Sequence, residues 1–438
     1  MPITLTRRGF LAGCSATIAA MAGARLTNIA LASPAGVAND EILIVVFIRG
    51  GWDVLSIFPP LAGADRSYYE AARPTIKVPV SGAGAAIQLN SQFGIHPALA
   101  PLQNLYQAGK MNVVLATGLQ DDTRSHFDAM EYIETGTPGI RATPTGWLTR
   151  HLSSSPGLDA SLLLPVLSAG VQTPTSLLGD PKVIAVDTPS SFSFQGNWRY
   201  TNDQRMALRH IYTGNTWLDA AAVETLNALD IMENAAIGAY TPATGVTYPA
   251  GPFGDTLKTI AQMIKLDLGI RIATVDIGGW DTHQYEGTNP AGYLSNLLAI
   301  FAGGLAAFYQ DLDGAGAQNY TSRLTMVAMS EFGRRFKENA DQGADHGHGS
   351  AMIVLGGNVN GGRVLGSWPG LSAAQLYQGV DLAVTTDYRQ VLSEIVSGRL
   401  GNPNIGAVFP GFTMAPLLGI VKARPAFNYT ALIPSVLK

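Results

Sequence analysis

Cysteine is all but missing: Cys14 is the only one in 438 residues. No disulfide can form within the chain, and no set of thiolates is available to hold a metal. Charge is scarce as well, at 14% of residues, and it nearly balances to a net −4. Such a surface gives no purchase to nucleic acid or to an acidic partner. Long apolar runs are also lacking. The segment from Ala16 to Ala24 is too short for a stable membrane span, and no solenoid-type repeat recurs along the chain.

Against these absences, apolar residues make up 47% of the chain and glycine is abundant at 49 residues. The length accommodates one large α/β domain or two smaller ones, and so many glycines suit tight loops between strands and helices. Near the start, Thr6-Arg7-Arg8-Gly9-Phe10-Leu11 has the form of a twin-arginine export motif. Ala30-Leu31-Ala32 then supplies the small-x-small pattern of a cleavage site before Ser33. A signal peptide over residues 1–32, passage through the twin-arginine translocase and a periplasmic or secreted mature protein are therefore expected.

Five apolar, β-branched runs read as buried strands: Glu41–Ile48, Met111–Ala116, Ile270–Val275, Leu324–Met329 and Ala351–Leu355. Between them lie helical patterns. One starts at His96-Pro97 and one covers 127–134. Another has Leu257, Ile260, Ile264 and Leu268 on one face, and a long one carries Leu294, Leu298, Phe301, Leu305 and Phe308. Residues from about 139 to 251 hold a possible strand at Leu162–Leu167 and helices over 201–240, which reads as a cap inserted over the sheet. His151 and His210, within that segment, read as structural or solvated. The expected fold class is α/β, a mostly parallel central sheet flanked by helices, with residues 33–438 as a single domain.

Polar residues gather where the apolar runs end. The first run delivers Asp53, and the second delivers Thr123, Arg124, Ser125 and His126. The third delivers Asp281 and His283, the fourth Glu331, and the loop before the fifth Asp345, His346 and His348. In a parallel sheet the carboxyl ends share one edge, so these residues can converge. Carboxylates and imidazoles ligate Zn²⁺ and Mn²⁺, and carboxylates alone suit Mg²⁺ or Ca²⁺. One or two divalent ions are thus expected on Asp53, Asp281, His283, Glu331, Asp345, His346 and His348. Plainer roles stay open at each place: Asp53 as a helix cap or turn residue, Thr123 or Ser125 as a cap, and the two histidine-bearing loops as hydrogen-bonded turns.

Taken in order, the export motif, RGGWD, HPALAPL, TRSHFDA, GGWDTH, SEFGRR, DHGHG, GGRVLGSWPGL and DLAVTTDYR resemble an exported bacterial family known as domain of unknown function 1501. That family is grouped with the alkaline phosphatase and sulfatase fold. The resemblance implies two metal ions and a hydroxyl nucleophile at Thr123 or Ser125. Arg124, together with Arg334, would offset charge on the ester, and His126 would act as general acid or orient a ligand. It also implies a phosphate, sulfate or related ester as substrate, on a small molecule or a polysaccharide. Two departures from the superfamily stand out. An Asp-His pair is replaced by Glu331-Phe332, and no Cys-x-Pro-x-Arg sequence exists for a formylglycine nucleophile. A protein that keeps the fold for binding or assembly is the alternative.

Overall fold

The computed structural model describes residues 40–424, apart from 157, 159–161, 163, 171, 187–192, 195–196, 235–239 and 289–291. The expected signal peptide lies outside the described residues. One nine-stranded sheet organises the rest. Its strands are β1 (Ile42–Ile48), β2 (Met111–Gly118), β3 (Val166–Ala169), β4 (Val183–Ala185) and β5 (Ile272–Ile277). They continue with β6 (Leu324–Ser330), β7 (Ser350–Gly356), β8 (Arg363–Leu365) and β9 (Thr386–Asp387). Across the sheet the order is β8-β2-β7-β6-β1-β5-β3-β4, with β9 also paired to β2.

Strand β1 lies inside the sheet and is parallel to both neighbours, β5 and β6. All seven of its residues are buried, and side-chain alternation splits them between two cores. Ile42, Ile44, Val46 and Ile48 enter one core; Leu43, Val45 and Phe47 enter the other. This two-sided burial is why the run is continuously apolar rather than alternating.

Helices cover both faces. Ala100–Gln107 (α1), Pro252–Lys265 (α2) and Tyr293–Leu312 (α3) supply the first core through residues such as Leu102, Leu257, Ile260, Leu298 and Phe301. His126–Thr135 (α4), Trp147–Ser154 (α5) and Tyr388–Gly398 (α6) supply the second through Tyr132, Ile133, Trp147, Val391 and Ile395. One helix, Gly63–Ala72, falls in a stretch that reads from sequence as loop or hairpin. It buries Arg66, Tyr69 and Ala72, one residue per turn, on a body with few apolar residues. Among the described residues, no helix is long and apolar enough to cross a membrane.

Two features depart from the sequence reading. Residues 139–251 are not wholly a cap, because β3 and β4 within them extend the main sheet alongside β5. Their helices, Thr201–Ile211 and Trp217–Asn234, behave differently from each other: the first buries no residue, whereas the second places Ala228 and Met232 in the core. Then there is β7, which runs antiparallel to both β2 and β6. In an all-parallel arrangement the loop entering β7 would lie at the opposite edge from the carboxyl end of β6. Reversal of this one strand brings residues 345–348 to the edge where β1, β2, β5 and β6 end.

Candidate metal centre

Strand β1 ends in Gly50 and Gly51, both at positive φ (124° and 68°). A Cβ on Gly50 would lie 2.6 Å from the Asp281 backbone nitrogen, and one on Gly51 would lie 2.5 Å from the Phe332 ring. Only glycine therefore lets the ends of β1, β5 and β6 approach this closely. On the other side, β2 bulges between Leu115 and Thr117, with Ala116 at φ 54°. The chain then turns into the loop carrying Thr123–His126.

Four side chains meet at this edge. His126 Nε2 lies 2.9 Å from His346 Nε2 and 3.4 Å from Asp281 Oδ1. His346 Nε2 is 3.2 Å from the same Asp281 oxygen. Donor atoms of these three residues all fall within 4.8 Å of one another, the single such group found among the described residues. His283 joins from the other side of the Asp281–His346 edge, with its Nε2 2.9 Å from His346 Nε2 and 3.0 Å from Asp281 Oδ1.

Outer partners orient each ring. His126 Nδ1 is 2.7 Å from Glu331 Oε1, His283 Nδ1 is 3.0 Å from Asp345 Oδ1, and His346 Nδ1 is 2.8 Å from the Arg124 carbonyl. A carbonyl only accepts, so the His346 proton sits on Nδ1 and its Nε2 carries a lone pair. The Asp345 carboxylate imposes the same tautomer on His283. With His346 Nε2 as acceptor, the 2.9 Å contact needs either a proton on His283 Nε2, which makes that ring an imidazolium, or a cation beside the two nitrogens. Imidazoles held by outer carboxylates and carbonyls, with the other nitrogens turned inward, are the usual way a protein prepares histidines for a metal.

Charge at the site is set by a few groups. Partial burial pushes the Asp281 carboxyl up, but the hydrogen bond and charge of Arg334 outweigh it and hold the group at about 2. The hydrogen bond to Glu331 raises the His126 pKa against the opposing effect of burial. Burial lowers that of His346. Phe332 packs its ring 4.8 Å from His126 and 5.1 Å from His346. It forms an apolar wall beside the imidazoles.

The expected residues separate into three groups. Asp281, His283 and His346 stand in the cluster, and His126 joins them through its Nε2. Glu331 and Asp345 are one step out, engaged with the imidazole Nδ1 atoms. Asp53 and His348 are not in the cluster. Asp53 is 1% exposed, caps the turn at Val54–Ile57 by accepting from Leu55 and Ser56, and pairs with the buried Arg73. Burial opposes its charge, yet Arg73 keeps its pKa low, while the same burial beside Asp53 drives Glu286 well above its usual range. His348 is buried and stacks on Tyr377, with ring centroids 4.1 Å apart.

The hydroxyls and arginines also have other duties. Ser125 caps α4 by accepting from Asp128 N–H, and Thr123 Oγ1 accepts from Ser125 N–H. The Arg124 side chain pairs with the buried Asp381 at 2.5 Å. Arg334 is internal, donating to carbonyls of Gly51, Ala344 and Trp280 as well as to Asp281. Arg335 closes the SEFGRR stretch. Its backbone N–H bonds Asp345 O at 2.9 Å. The hydrogen bond from His283 holds the Asp345 carboxyl low, with the Arg335 charge a smaller contribution. The buried Arg335 Nε has no hydrogen-bond partner.

A family model described as "Protein of unknown function (DUF1501)" matches residues 196–400. This supports the resemblance drawn from the motifs, over a shorter span than the motifs suggest. The match includes Asp281, His283, Glu331, Asp345 and His346, and leaves out His126 and the β1 turn. No curated protein matches the chain.

Proposed function

We propose that this protein is an exported metal-dependent hydrolase or transferase acting on a phosphate, sulfate or related ester. In this reading a divalent ion is held by His126, Asp281 and His346, with His283 beside them. The observation that carries it is the convergence of His126 Nε2, His346 Nε2 and Asp281 Oδ1, each within 3.4 Å of the other two. Two nitrogens and one oxygen suit Zn²⁺ or Mn²⁺; Mg²⁺ and Ca²⁺ prefer oxygen sets. For comparison, zinc bonds of about 2.0–2.1 Å imply donor separations of about 3.3 Å in a tetrahedron, close to the 2.9–3.4 Å spacings of the triad.

Such an ion supplies Lewis acidity toward an ester oxygen. The chain does the rest. Glu331 and Asp345 hold the imidazole tautomers, Arg334 keeps Asp281 charged and aimed, and Phe332 keeps water from one side of the rings. Arg335, whose buried Nε has no hydrogen-bond partner, would meet charge on the ester's non-bridging oxygens. Because Ser125 and Thr123 are occupied in the cap, attack by water is favoured over a serine or threonine nucleophile. A mostly parallel sheet bearing its polar residues at one edge supports kinship with the alkaline phosphatase and sulfatase fold, and residues 6–11 support export.

Metal analysis of protein purified from its native compartment, followed by dialysis and re-addition of Zn²⁺ or Mn²⁺ against aryl phosphates and sulfates, tests the proposal. About one ion per chain and metal-dependent turnover are expected. A metal-free native protein that binds neither ion would sink it. A binding protein with a structural ion has one observation in its favour: His283 Nε2, 2.9 Å from His346 Nε2, crowds one side of the triad. It requires full metal loading together with a flat result across the ester panel.

A further inference from the structure

Beside the cluster, Asp281, Thr282, His283, Gln284, Tyr285 and Tyr293 line an open cleft. Two of these six are tyrosines exposed to solvent, Tyr285 at 72% and Tyr293 at 51%. Large apolar rings left in water beside two donor residues ask for an occupant. Tyr285 also sits at φ 46°, in the left-handed region that side-chain-bearing residues seldom adopt. The loop is kept there by Tyr285 N–H to Asp341 O and Glu286 N–H to Gln342 O, both 2.9 Å. Strain retained to hold a ring outward at a site edge is a pattern of ligand clamps. Tyr293 is fixed from the other side, donating its hydroxyl to Gly279 O at 2.9 Å.

The lining chemistry narrows the occupant. Among the described residues no lysine or arginine lines it, so an anionic group placed in the cleft would face Asp281 without a cation from those walls. Flat aromatic faces together with an amide and a carboxylate complement a saccharide ring, with C–H faces on one side and hydroxyls around the edge. An aryl group would want apolar walls in place of Asp281 and Gln284.

We infer that this cleft is a saccharide subsite in which Tyr285 and Tyr293 hold an uncharged sugar ring of the ester substrate next to the metal centre. The inference rests on the proposed hydrolase reading for its substrate, but its test does not. Gel retardation by laminarin, xylan and alginate is measured on the full-length mature protein, with zinc content read in parallel. Retardation by laminarin or xylan is expected. Tyr285→Ala or Tyr293→Ala should weaken it about tenfold, the loss of one stacked ring, with zinc content unchanged. Tyr293→Phe, which keeps the ring and loses only the bond to Gly279, should bind as the parent does. No retardation by either neutral polysaccharide, or retardation that both alanine variants leave unchanged, overturns the subsite. Retained retardation in a protein that binds no metal would instead refute the metal reading and leave the subsite standing.

Discussion

Replacing Glu331 by glutamine should weaken ion binding at the cluster by about 10- to 100-fold, or about 1.4–2.7 kcal/mol. Glu331 is fully buried, accepting from His126 Nδ1 and from Gly50 N–H, each at 2.7 Å, and from Ser330 Oγ at 2.9 Å. Glutamine is nearly isosteric. Its carbonyl can still accept from His126 and Gly50, and its amide can donate to Ser330 Oγ, which then donates to Ile48 O alone. Every hydrogen bond therefore survives and only the charge is lost, so the change isolates the carboxylate's effect on imidazole basicity. Asp345→Asn makes the analogous change at His283, but there the carboxylate is 51% exposed and water screens it. Its effect should be no more than about tenfold. Competition titration of zinc against a chromophoric chelator measures both, with circular dichroism to show that the fold persists. An unchanged affinity in Glu331→Gln, or a larger loss in Asp345→Asn, would refute the assignment of Glu331 as the principal outer partner.

Ser125→Ala removes a cap made through a long 3.4 Å bond, costing about 0.5–1 kcal/mol of stability. Turnover should stay within a few fold of the parent, whereas a loss of about a thousandfold or more would make Ser125 the nucleophile. Gly51→Ala meets the Phe332 ring at 2.5 Å and demands φ 68°; thermal melting should show a loss of about 2–4 kcal/mol. His151 is 3% exposed, and burial lowers its pKa to about 4 from the usual 6.5. The unfolded chain binds this proton first as pH falls, so its contribution is intact above pH 6.5 and is lost towards pH 4, about 3 kcal/mol in all. Denaturant titrations across that range should show a shallower decline in His151→Gln, and parallel curves would contradict the point.

Much of the fold is legible in local pattern. Apolar runs mark the strands, and the alternation within β1 divides the two cores. The helix at α4 starts within a residue of its place in the sequence reading, because Ser125 offers a cap and the apolar stripe follows. Less regular segments hid their structure. Gly63–Ala72 carries too few apolar residues to announce a helix, although its buried positions recur every three residues. The strands β3 and β4, of four and three residues, acquire their stability from neighbours in the sheet.

By itself, the sequence determined which chemistry is available: four histidines and four carboxylates at strand ends and in the loop before the fifth run, no thiolates, and glycines where strands must approach. It could not rank those residues, because distances between strand ends depend on partners more than two hundred positions away, as between His126 and Glu331 or His346. Tertiary structure decided that Asp53 faces Arg73 and caps a turn, that Arg334 is internal, and that Glu331 and Asp345 serve the imidazoles. It also decided the direction of β7. Strand periodicity is the same for parallel and antiparallel neighbours, so only pairing with β2 and β6 fixes it, and that pairing is what carries His346 to the metal-site edge.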